Sequence, residues 1–134
     1  MKLARWSDSS DPSHGQEAAD PGRYSDAVDD SPDPEVVLAL RALSNPVRLQ
    51  LLSWLREPER NFALDGAIAD PAEVGVCVTH IQAKVGLAQS TVSAYMAELQ
   101  RAGLVRATRV GKWTHYKRDE RRIADLVAAL GQTL

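Results

Sequence analysis

From residue 34 onward, apolar and polar positions follow helical spacing. Val36, Val37, Leu40 and Leu43 recur at steps of three and four, which predicts a helix beginning at Pro34 or Glu35. Asn45-Pro46 restarts the chain, with an N-cap oxygen on Asn45 and a ring at Pro46 that fits the first helical position. Val47, Leu51, Leu52 and Leu55 then give a second helix a buried face. Residues 57–75 (EPERNFALDGAIADPAEVG) read as a long polar connection with two prolines and two glycines. Helical spacing resumes from Thr79 to Val85 and stops at Gly86, a residue suited to left-handed geometry. Gln89-Ser90-Thr91 opens another helix, with Ser90 the expected N-cap. Val92, Tyr95, Met96 and Leu99 line its apolar face, and Gln89, Thr91, Ser93, Ala94 and Glu98 line the opposite one.

After Gly103 the period changes. Leu104–Arg109 and Trp113–Arg118 have strand character, and Gly111-Lys112 marks the turn between them. Asp119 starts a last helix in which Ile123, Leu126, Val127 and Leu130 repeat at helical spacing. The expected fold is mainly α with a β-hairpin wing: a winged helix-turn-helix. Small polar residues at the start of a helix approach base edges and phosphates in a major groove without steric conflict. Either piece alone is a weak signal. A helix pair followed directly by a basic hairpin is a strong one.

Length and composition fit this picture. A chain of 134 residues, 44% hydrophobic, supports one core. No apolar run approaches the roughly 18 residues of a membrane span, and the N-terminus lacks a signal-peptide pattern. The lone cysteine, Cys77, excludes an internal disulfide and suits a reducing cytoplasm. The formal charge of −2 is a misleading average. Residues 1–33 hold eight acidic and three basic side chains and have the composition of a disordered acidic tail. Between Lys84 and Arg118 lie seven basic residues and one acidic residue, so positive charge concentrates where phosphates would sit.

Two segments carry a family resemblance. Ala42 to Leu55, ALSNPVRLQLLSWL, resembles the second helix of the arsenical-resistance-repressor (ArsR-type) family of bacterial transcription regulators. QSTVSAYMAELQRAGLV resembles that family's recognition helix and its exit into the wing. The resemblance covers about residues 34 to 134. It implies a homodimeric repressor that binds double-stranded DNA at a palindromic operator, with an effector site that varies among members. Many members carry two cysteines, one residue apart, that bind thiophilic metals. Here Cys77 matches the first, Thr79 replaces the second, and His80 follows. The family's other metal site uses Asp, His and Glu on the last helix, and this last helix has no histidine. His14 falls in the tail and His115 in the wing. No metal or cofactor is therefore expected at the usual sites. Cys77 reads first as a buried apolar cysteine, then as a redox-reactive thiol, and last as a metal ligand.

The expected DNA-binding residues are Gln89, Ser90, Thr91, Ser93 and Tyr95 on the recognition helix, with Arg109 and Lys112 at the wing tip. Tyr95 either reaches a phosphate or packs. Arg106, Lys117 and Arg118 are backbone contacts or solvated charges, and Arg48 makes an internal ion pair or meets DNA. Trp113 and Tyr116 are expected to pack the hairpin. Leu40, Leu43, Ile123, Leu126 and Leu130 are expected at a dimer interface, because both end helices carry more apolar surface than one small domain needs. No phosphate loop, paired metal motif or nucleophile elbow points to an enzyme. The competing readings are a winged-helix protein-interaction module and a thiol-based redox sensor with weak DNA binding.

Overall fold

The computed structural model describes residues 31–134, so His14 and all but the last three residues of the tail lie outside the described residues. Among the described residues, seven helices and three strands follow in the order α1 (Pro34–Leu43), α2 (Pro46–Trp54), α3 (Pro58–Asn61), α4 (Pro71–Val74), β1 (Val76–Cys77), α5 (Val78–Val85), α6 (Gln89–Arg101), β2 (Val105–Val110), β3 (Trp113–Arg118) and α7 (Glu120–Thr133).

The helix starts have local causes. Asp33 accepts from the Glu35 amide ahead of Pro34, and Asn45 accepts from the amides of Val47 and Arg48 ahead of Pro46. Asp119 does the same for the Arg122 amide at the start of α7. Gly86 ends α5 in left-handed geometry. Gly103 closes α6 with φ +79°, while the amides of Gly103 and Leu104 bond the carbonyls of Gln100 and Leu99. That pair of bonds is a Schellman motif, and it turns the chain sharply into β2.

The strands form a small antiparallel sheet in the order β1-β3-β2. Val76 and Cys77 face Tyr116 and His115, and β2 pairs with β3 from Val105↔Arg118 to Val110↔Trp113. Gly111-Lys112 is thus a two-residue hairpin loop, with positive φ only at its first residue, as a type II′ turn requires. Leu51, Ile81, Val92, Met96, Leu99, Leu104 and Val76 make the fully buried centre of the core. The apolar faces of α2, α5 and α6 therefore meet one another and one face of the sheet.

Three expectations need correction, and one feature of α1 was not foreseen. Residues 57–75 are not merely a polar connection. They form α3 and α4 and bury Phe62, whose ring stands edge-on to Trp54 with centroids 6.4 Å apart. The wing is not a lone hairpin, because β1 adds a third strand. On α1 the deeply buried residues are Ala39 and Ala42, while Leu40 is 43% exposed. Small side chains let α1 approach α6 and α7 closely, which a leucine stripe would prevent. Finally, Ser90 is not the N-cap. Ala88 holds that position without a side-chain hydrogen bond, and Ser90 lies inside α6.

Candidate DNA-recognition surface

The surface is built on the angle between α5 and α6 and on the wing beyond them. Val92, Met96 and Leu99 pin α6 into the core, which turns the other side of its first two turns outward. Gln89 and Ser90 are exposed, and Thr91 and Ser93 are half-buried. With Ala88 as cap, no side chain covers the first amides of α6. Free amides and the positive helix end suit a phosphate oxygen.

Arg48 reaches this helix from behind. Its Nε donates to the Ala42 carbonyl at 2.7 Å, and its guanidinium lies 5.6 Å from the centre of the Tyr95 ring. Neither an ion pair nor solvent is its main partner. It caps the end of α1 and braces the half-buried Tyr95.

The wing's basic residues divide into two sets. Near its base each has a partner in the fold, with Arg106 and Lys117 still exposed to solvent. Arg106 pairs with Asp119 at 3.1 Å, Lys117 Nζ donates to the Ala72 carbonyl at 2.6 Å, and Arg118 donates to the Leu52 carbonyl at 3.1 Å and pairs with Glu120. Sequence reasoning offered DNA contact or solvation for these three, and the structure gives each an internal partner. At the tip, Arg109 meets only the Gly111 carbonyl at 3.4 Å, and Lys112 lies over Trp113 at 5.7 Å. Neither forms an ion pair among the described residues. The tip charges are therefore available to an anion. Toward the C-terminal end of α6, Glu98 is paired with Arg101, which reduces its repulsion of phosphate.

Two groups at the wing base have displaced ionisation. The Arg122 backbone N–H, reinforced by Arg106, holds the Asp119 carboxyl below the usual carboxylate range. Burial pushes the Tyr116 hydroxyl up, in keeping with its place in the core. Trp113 is half-buried against the core, so both aromatic residues pack as expected.

Sequence reasoning placed His115 in the wing but did not join it to Cys77. It is buried on the central strand directly opposite Cys77, and neither ring nitrogen has a hydrogen-bond partner. Only the strand register could have joined them, because β1 is too short to show alternation. Cys77 itself is buried, with Thr79 Oγ1 donating to its Sγ at 3.2 Å. Among the described residues, no three His, Cys, Asp or Glu side chains gather where they could hold a metal ion. No helix among them is long and apolar enough to cross a membrane.

Of the residues expected at a dimer interface, Leu126 belongs to the chain's own core. Leu43, Ile123 and Leu130 pack against that core with part of each side chain free, and Leu40 points outward. Val127 is 63% exposed beside them on α7.

Comparison with known proteins agrees with this architecture. No family model matches the chain. It is 50% identical over 92 residues to an uncharacterized HTH-type transcriptional regulator of Bacillus subtilis, covering 69% of this chain and 91% of that protein. It is 40% identical over 72 residues to a putative arsenical resistance operon repressor of Halobacterium salinarum, covering 54% of this chain and 59% of that one. An ArsR-like transcriptional regulator from Rhodococcus has the same fold, with a TM-score of 0.53 at 18% identity over 73% of this chain and 77% of that chain. Its helix-turn-helix, its wing and these relatives place the chain in the ArsR family of winged helix-turn-helix, DNA-binding transcriptional regulators.

Proposed function

We propose that the chain is a homodimeric repressor that reads a palindromic operator with the first two turns of α6 and grips the flanking backbone with the wing tip. The observation that carries this reading is the pairing of an uncapped, polar helix start at Gln89–Ser93 with two tip cations, Arg109 and Lys112, that have no internal ion pair among the described residues. Thr91 and Ser93 then face base edges, Gln89 and Ser90 the groove entrance, and Tyr95 supports the helix through Arg48. Leu40, Leu43, Ile123 and Leu130 join two copies through α1 and α7, over the intrachain support of Leu126. A two-fold axis there sets two recognition helices about 34–36 Å apart, one turn of the double helix. The reading includes no catalysis, a place in the bacterial cytoplasm, and release from DNA by a signal. Residues 34–134 serve as the DNA-binding domain and the acidic residues before them as a tail. An interaction module has no need of cations kept free at a wing tip.

Binding of an operator and of random DNA by a Ser93→Ala, Arg109→Ala double variant tests the assignment. Losing the Ser93 contact costs about 1–3 kcal/mol on the operator. Losing Arg109 weakens both DNAs and flattens their salt dependence. Unchanged operator affinity in the double variant sinks the assignment.

A further inference from the structure

Cys77 and His115 are directly opposed residues of antiparallel β1 and β3. Their side chains therefore leave the same face of the sheet, with Cβ atoms about 5 Å apart. Both are out of water, Cys77 at 6% and His115 at 1% exposure. Neither ring nitrogen of His115 has a hydrogen-bond partner. Thr108 follows His115 in the same row on β2 and does not supply one. A dry imidazole with both nitrogens unmet is costly, and such a group calls for a partner. On the other strand the sulfur already receives a donor, the Thr79 hydroxyl at 3.2 Å. The same donor would stabilise a thiolate once the thiol proton is displaced.

We propose that Cys77 and His115 form a two-ligand site for one monovalent thiophilic ion of the copper(I) and silver(I) class. Donor number selects this class. Zinc-like ions need three or four ligands, and no such group exists among the described residues. Copper(I) and silver(I) accept two, and a thiolate with an imidazole is a donor pair that suits copper. Charge selects the same class. A thiolate and a monovalent ion sum to zero, whereas a divalent ion would leave a net positive charge in the dry interior. Binding forms one sulfur–metal and one nitrogen–metal bond, the thiol proton leaves to solvent, and no electron moves. Thr79 becomes a hydrogen-bond donor to the one thiolate present. Cys77 immediately precedes α5 and His115 lies within β3, so the ion ties the first helix of the helix-turn-helix to the wing. The site is independent of how α6 meets DNA, and its test uses none.

Silver(I), which does not redox-cycle, is titrated into the reduced full-length protein. Native mass spectrometry should show one ion per chain. A long-range proton–nitrogen spectrum should show a ring nitrogen of His115 shifting on loading, while those of His14 and His80 stay in place. His115→Phe should lower silver affinity by about tenfold or more in competition with a chelator, and Cys77→Ser should abolish tight binding. A folded His115→Phe protein that binds silver like the parent overturns the site and leaves a lone thiol as the captor. If His115→Phe unfolds, the parent spectrum decides alone: an unmoved His115 ring with silver bound overturns the proposal.

Discussion

Replacing Arg48 by Met separates a structural arginine from a DNA contact. Met keeps most of the aliphatic packing and removes the guanidinium. The charged hydrogen bond from Nε to the Ala42 carbonyl, 2.7 Å long, is worth about 1.5–3 kcal/mol. Its position over Tyr95, 5.6 Å from the ring centre, adds about 0.5–1 kcal/mol. The second guanidinium contact, to the Arg41 carbonyl at 3.5 Å, is too long to add much. Because Arg48 is only half-buried, the lower end of this range applies, about 2 kcal/mol. With a urea dependence of about 1–3 kcal/mol per molar, the unfolding midpoint should fall by about 1 M. The assay is urea unfolding followed by far-UV circular dichroism at one fixed protein concentration, since dimerisation would shift the midpoint. A parallel salt titration of DNA binding by the folded variant should keep the parental slope. An unchanged midpoint with a salt slope reduced by about one would refute the reasoning and move Arg48 to the DNA backbone.

Three further outcomes follow from the packing. A Cβ at Gly75 would fall on the Tyr116 carbonyl, a backbone atom that cannot swing away, so Gly75→Ala should cost about 3 kcal/mol or more, read as a lower thermal midpoint. Asp119 has a depressed folded pKa, so its contribution is complete above the unfolded value near about 4 and is lost as pH falls through the lower folded value; Asp119→Asn should lower the neutral-pH thermal midpoint and flatten its acid limb. Val127→Glu, at a 63% exposed position, should give folded monomers in sedimentation, whereas Leu126→Glu strikes the chain's own core and should unfold it; a Val127→Glu dimer of normal affinity would contradict an interface on α7.

Much of the fold was legible because its signals are local. Asn45-Pro46, Gly86, Gly103 and Gly111-Lys112 each act within one turn of chain, and each lies where the sequence pattern predicts a boundary. The apolar face of α6 was legible because thirteen residues are long enough for a period to show. The single-turn helices α3 and α4 show no period, although Pro58 and the Asp70-Pro71 pair mark their starts. Ala39 and Ala42 escaped notice because hydrophobicity favours leucine, while a close helix contact favours a small side chain. At the site, Gln89, Ser90, Arg109 and Lys112 were visible as outward polar positions. The internal duties of Arg48, Arg106, Lys117 and Arg118 were not, because their partners come from other elements of the fold.

Selection of bound sequences from a random DNA pool tests direct reading by α6 most sharply. The parent protein should enrich an inverted repeat with half-sites one helical turn, about 10–10.5 base pairs, apart. Arg109→Ala should enrich the same sequence more weakly, because backbone contacts position the protein without specifying bases. A Thr91→Val, Ser93→Ala protein should lose preference at the base pairs those side chains face and keep it elsewhere. Identical sequence preferences from the parent and the Thr91→Val, Ser93→Ala protein would contradict reading of the operator by α6.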